Sequence, residues 1–223
     1  MQTILITGAN RGIGLALTQL FCARGDQVIA ACRHSSGALE LTGARIETGV
    51  DVTDDDALAA LAQRLGKPRL DQLWLNAGIL NRDSLGAIDA DALDGMRRQF
   101  EVNALGPLRV AQALRGNLGE GSKVAIITSR MGSIADNDSG GSYGYRASKA
   151  AVNAIGKSLA IDLQPLGVAV FLMHPGYVAT DMVDGHGDVT PAQAAARLVA
   201  RVDTLDVAQT GSFWHANGTA LPW

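Results

Sequence analysis

Three stretches of the chain carry residue types whose spacing could do chemistry. In "SYGYRASKA", Ser142 to Ala150, two tyrosines precede Lys149. A phenol and an ammonium on one helical face could hold and pass a proton. Tyr145 stands four residues before the lysine, one helical turn, and Tyr143 stands six before it. An isolated tyrosine is usually a packed amphipathic side chain, so spacing alone leaves open which of the two acts. In "TILITGANRGIGLAL", Gly8, Gly12 and Gly14 follow an apolar run and open a helical segment. Glycines in that setting permit a tight turn and close approach of backbone to a pyrophosphate, which a helix N-terminus stabilises. The spacing is G-x-x-x-G-x-G where the common dinucleotide fingerprint is G-x-G-x-x-G, and the alternative is a tight turn with no ligand. The third stretch, "IAACRH", ends the second strand with Arg33, where an NAD-selective chain would place Asp or Glu for the ribose 2′-hydroxyl. Arg33, with Arg11 of the glycine turn, can instead pair with a 2′-phosphate and predicts NADP(H) in preference to NAD(H); the alternative is two solvated arginines.

These residues need a scaffold. Runs such as "TILIT", "QVIAAC", "LDQLWLN", "KVAIITS" and "VAVFLMH" are apolar throughout and alternate with segments of helical period. Strands without polar alternation are buried on both faces. The pattern predicts an α/β chain, residues 1–223 as one Rossmann-fold domain: a doubly wound parallel sheet of about seven strands with helices on both faces. In "TDDDALAALAQRL", Thr53 is the expected N-cap and Leu58, Leu61, Ala62 and Leu65 form one stripe. "TPAQAAARL" predicts a helix capped by Thr190, with Pro191 at its first position and Gln193 completing a capping box. "DNDSGGSYG" reads as one loop between a strand and a helix, at the sheet end where such folds build their sites.

The formal charge of −3, with basic residues scattered, gives no electrostatic reason to expect nucleic acid or an anionic membrane as partner. Cys22 and Cys32 lack metal or redox spacing and read as reduced packing residues. His34, His174, His186 and His215 are far apart in sequence and show no ligand pairing, so no metal is expected. The apolar start is too short for a signal segment, no run approaches the ~18 residues of a membrane helix, and a cytoplasmic protein is expected.

In their shared order the motifs resemble the short-chain dehydrogenase/reductase family over nearly the whole chain. The resemblance rests on "TGANRGIG", on Asn76, Ala77 and Gly78, on Asn103 in "FEVNALGP", Ser129 in "ITSRMG", "YRASK" and "HPGYVATDM". "SRMGS" and the closing "FWHANGTALPW" look like its carbonyl-reductase-like and C-factor-like branch. The family signature Y-x-x-x-K selects Tyr145 and leaves Tyr143 to packing or the pocket wall, in the loop ahead of the helix. The resemblance implies an NAD(P)-dependent oxidoreductase acting on a small carbonyl or alcohol. Tyr145 would be general acid/base, Ser129 would hydrogen-bond the substrate oxygen, Lys149 would bind the nicotinamide ribose, and Asn103 would hold a water for proton relay.

The resemblance further implies cofactor contacts from Gly8, Asn10, Arg11, Gly12, Ile13 and Gly14, and from Arg33, Asn76, Ala77 and Gly78. Asp51 and Val52 would border the adenine, and Pro175, Gly176, Val178 and Thr180 the nicotinamide. Lowering a phenol from its ordinary pKa by ~3 units takes roughly 4 kcal/mol, which Lys149 and the oxidised nicotinamide are expected to supply. The seven residues "VDGHGDV" between Met182 and Thr190 suggest a flexible strip over an open pocket for small aldehydes or ketones. The resemblance also implies a homo-oligomer, dimer or tetramer, formed through long helices flanking the sheet. The rival reading is a cofactor-binding regulatory or signalling protein of the same fold with little turnover.

Overall fold

The computed structural model describes residues 1–223. Strands and helices alternate: β1 (Thr3–Thr7), α1 (Gly12–Ala23), β2 (Gln27–Ala31), α2 (Gly37–Glu40), β3 (Arg45–Glu47), α3 (Asp55–Leu65), β4 (Gln72–Leu75) and α4 (Ala90–Phe100). Then come α5 (Gly106–Ala113), β5 (Lys123–Ile127), α6 (Tyr143–Leu163), β6 (Ala169–His174), α7 (Pro191–Thr204) and β7 (Ser212–His215). All seven strands run parallel, in the order β3-β2-β1-β4-β5-β6-β7.

The apolar runs explain the layers. Ile4 and Ile6 of β1 enter one core with Phe21, Phe171 and Leu198, while Leu5 enters the other with Leu58, Leu61 and Val152. Successive residues of a strand point to opposite faces, so a strand covered on both sides is apolar at every position. Helices α1 and α7 pack together on one face, and α3 with α5 and α4 with α6 on the other. No helix is long and apolar enough to cross a membrane.

Between β1 and β4 the winding reverses: the chain builds β2 and β3 outward on one side, then returns to β4 on the other. Loops leaving the carboxyl ends of β1 and β4 therefore diverge and open a crevice. Asn76, just past β4, closes its floor. Its Nδ2 donates to the carbonyls of Thr7 and Gly8 at 3.0 and 3.2 Å. A Cβ on Gly14 would lie 2.1 Å from the Gly8 carbonyl oxygen, so α1 can begin this close to β1 only with glycine there.

One expected cap moves. Asp54, rather than Thr53, caps α3, accepting from the amides of Asp56 and Ala57. Thr53 is already committed, since its N–H and hydroxyl both donate to Asp51 Oδ1, at 2.9 and 2.7 Å. The capping box of Thr190 and Gln193, with Pro191 beside it, opens α7 as expected.

Candidate active site

A cleft of about 880 Å³ runs across the carboxyl ends of the strands, from Arg33 and Asp51 to Tyr145, Lys149 and His215. Every residue assigned to catalysis or cofactor in the sequence lines it except Gly14 and Asn103. Gly14 is buried under the glycine turn, where it lets backbone segments meet. At the head of α1 there is no capping side chain and no acid in the first turn. By contrast α3, α4 and α7 are capped by Asp54, Asp89 and Thr190. Free N–H groups at a positive helix end fit an anionic pyrophosphate.

Tyr145, Ser129 and Lys149 meet at the other end. Ser129 ends β5's extension, and its Oγ accepts from the Met131 amide at 3.1 Å, which fixes the hydroxyl over the cleft. Lys149 is 5% exposed. Its Nζ donates to the Ile127 carbonyl at 3.0 Å and lies 5.7 Å from the centre of the Tyr145 ring. A Cβ on Gly132 would stand 2.7 Å from the Lys149 carbonyl carbon, so a glycine lets α6 press against the turn that carries Ser129. Burial pushes the Tyr145 phenol up to about 12, against a smaller opposing effect of a hydrogen bond with Ser129. Burial likewise pulls Lys149 down to about 8. Desolvation disfavours the charged form of each group, so it raises the phenol and lowers the ammonium.

Asn103 is 1% exposed, behind the cleft wall. Its Oδ1 accepts from Ile79 N–H at 2.8 Å, and its Nδ2 donates to the Ile79 carbonyl at 2.9 Å and to Ser148 Oγ at 3.0 Å. Ser148 Oγ in turn donates to the Tyr145 carbonyl at 2.8 Å, which ties Asn103 to the tyrosine's own turn. A turn of π-helix, Glu101–Leu105, carries Asn103 between α4 and α5. Pro107, four residues on, has no N–H for the Asn103 carbonyl, so the side chain is spent on anchoring while the main-chain oxygen lacks its ordinary helical donor.

Other sites depart from expectation. Tyr143 is the first residue of α6 rather than part of the preceding loop; it is exposed and does not line the cleft. The strip after Met182 folds back on the preceding segment: Ala179 N–H donates to the Val189 carbonyl and Asp188 N–H to the Tyr177 carbonyl, each at 2.9 Å. Gly187 packs so tightly there that a Cβ would fall 2.3 Å from the Ala179 nitrogen. Asp136 pairs with Arg130 beside the site, and that guanidinium holds its carboxyl below the usual range.

Two features were not legible in the sequence. His174 and His215, at the ends of neighbouring strands, meet edge to face with ring centres 4.8 Å apart and line the cleft. Burial, then His215 and Arg130, push His174 down to about 3, so it is neutral at ordinary pH. The other is Asp83, whose carboxylate accepts from the Tyr143 and Gly144 amides while its carbonyl accepts from Ser142 N–H. A distant loop thus caps α6, two residues before Tyr145, and holds Ser142 at φ 49°. Asp83→Ala is expected to cost about 1 kcal/mol of stability. It should also lower kcat several-fold with nucleotide affinity unchanged, as read by urea unfolding and steady-state kinetics. No change in either would mean the helix start is set elsewhere.

Residues 2–203 match the family model described as short chain dehydrogenase. The chain is 44% identical to 1-hydroxy-2-glutathionyl-2-methyl-3-butene dehydrogenase of Rhodococcus sp. (strain AD45), over all of both chains. It is 44% identical to C-signal of Myxococcus xanthus over 74% of this chain and all of that protein. Among solved structures, the NADPH-bound carbonyl reductase from chicken fatty liver superposes with a TM-score of 0.90 at 28% identity, covering 100% of this chain and 99% of that one.

Proposed function

The chain belongs to the short-chain dehydrogenase/reductase family and is an oxidoreductase of that family, and from that premise we propose that it transfers hydride between NADP(H) and a small carbonyl or alcohol substrate, with Tyr145 as general acid/base. The observation that carries the reading is the convergence of Ser129, Tyr145 and Lys149 in one cleft whose far end is a glycine turn beside Arg33. Bound there, the nicotinamide would supply the hydride to the substrate carbon or accept it.

The chain's own groups handle the oxygen. Ser129 donates a hydrogen bond to it, and Tyr145 releases its proton as negative charge develops there. With the phenol pushed up to about 12, the proton stays on Tyr145 through the neutral range, which suits donation to a carbonyl. Taking a proton back from an alcohol needs more positive charge than the polypeptide provides. Lys149 anchors the nicotinamide ribose and passes protons onward, and the Asn103 main-chain carbonyl, lacking its usual donor, holds the relay water. The intact assembly supports turnover over a purely regulatory role.

NADP(H) is supported by Arg33 and by the NADPH in the chicken carbonyl reductase. Arg33→Asp is expected to raise the KM for NADPH about tenfold or more, the worth of a lost charged hydrogen bond, with NADH much less affected. Equal losses for both nucleotides would remove the phosphate from the argument. The Rhodococcus relative's name specifies a hydroxyl on a carbon chain that also bears a glutathionyl group. Thioether alcohols of that kind therefore belong in the substrate panel beside simple aldehydes, ketones and quinones, followed by NADPH absorbance. We also propose a cytoplasmic protein and a homo-oligomer; exposed apolar side chains on the flanking helices, Leu108 on α5 and Ile161 on α6, support the assembly.

A further inference from the structure

Arg33 and Arg11, the two cations expected to share a 2′-phosphate, do not share a neighbour. Arg11 Nη1 lies 3.5 Å from Asp181 Oδ2, at the strip beyond the glycine turn. Arg33 Nη1 lies 4.0 Å from Asp51 Oδ2. The second guanidinium on that same oxygen comes from α4: Arg98 Nη2 is 3.8 Å away. From this geometry we infer that Arg98 is a specificity-determining residue for NADP(H), the second arm of a guanidinium pair that brackets Asp51 and receives the 2′-phosphate. The inference rests on the NADP(H) reading above.

Asp51 makes a second cation necessary. It lines the cleft beside Arg33, and a fixed carboxylate at the adenosine end repels a phosphate. Thr53 occupies its Oδ1 with two hydrogen bonds, leaving Oδ2 turned to the arginines. These contacts, with both guanidiniums, hold the carboxyl below its usual range. Arg33 alone only cancels that charge. With Arg98 the group of three keeps one net positive charge.

Neither arginine is used up by Asp51. Its separations from them exceed the 2.8 Å of a committed pair such as Arg109 Nη1 with Glu101 Oε2. Their side chains remain 59% and 50% exposed, so N–H groups of each are free to fork around a phosphate. The neighbouring arginine on α4 is placed differently: Arg97 pairs with Asp94 one turn earlier, while Arg98, about 100° around the helix, lines the cleft.

The test is titration calorimetry of the full chain with 2′,5′-ADP and 5′-AMP, which differ by the 2′-phosphate and report binding without turnover. Arg98→Gln is expected to weaken 2′,5′-ADP about tenfold and 5′-AMP by less than twofold, with the gap narrowing as salt rises. Arg98→Lys should recover most of the loss by keeping the charge, and Arg97→Gln should change neither nucleotide. If wild type prefers 2′,5′-ADP and Arg98→Gln preserves that preference, or weakens both nucleotides equally, the inference falls while the NADP(H) reading stands. If wild type binds both nucleotides equally, the NADP(H) reading falls and the inference with it.

Discussion

Tyr145→Phe is expected to lower kcat for carbonyl reduction by about a thousandfold, within the range that loss of a general acid produces. The substitution removes one oxygen and keeps the ring that lies beside Lys149, so the Kd for NADPH should stay within about twofold, well inside the 1.4 kcal/mol of a tenfold change. Stability should hardly move, because the hydroxyl's one noted partner is the Ser129 hydroxyl at the cleft. The pH dependence follows from the phenol's position at about 12: it stays protonated from pH 6 to 9, so no loss of reduction rate in that range should be traceable to Tyr145. Stopped-flow kinetics with NADPH and an active aldehyde measure all of this. Turnover in the phenylalanine variant within tenfold of wild type would remove Tyr145 from the chemistry and with it the proposed mechanism.

The second large effect is a trade between stability and activity at Lys149. The residue is 5% exposed, and burial pulls its ammonium from the ordinary lysine value to about 8. The unfolded chain therefore binds more protons than the folded one between pH 8 and the unfolded lysine value of about 10.4, and stability should rise with pH across that window. Below pH 8 the full cost is present, on the order of 3 kcal/mol. Lys149→Met keeps the length of the side chain and removes the charge. It forfeits the bond to the Ile127 carbonyl, worth about 1 kcal/mol, and should still be more stable than wild type at pH 7, by roughly 2 kcal/mol. The advantage should vanish near pH 10. Activity should fall a hundredfold or more, because the relay loses its lysine. Urea midpoints at pH 7 and 10, read against kcat, test both parts. A methionine variant less stable at pH 7, with the same pH profile as wild type, would show that Lys149 is not held in the cleft at a desolvation cost.

Much of this site could be read from the chain alone, for a physical reason. Glycines after β1, the Tyr145–Lys149 turn and the uniformly apolar strands are local patterns: backbone approach, helical period and burial on two faces each leave a signature within a few residues. The parallel sheet and the glycine turn followed from them, and most other cleft residues followed from the order of motifs shared with the family. Groups that act through space left no such signature. Asp83 caps α6 from a distant loop, His174 meets His215 only because β6 and β7 are neighbours, and Arg98 reaches Asp51 from another layer. Thr53 lost its expected role as a cap to a carboxylate two residues away. Sequence by itself determined which residue types stand at the mouth of the sheet. Only the tertiary structure decided which charges face one another and how much water they keep, because distance and desolvation set those energies and both are properties of the packed chain.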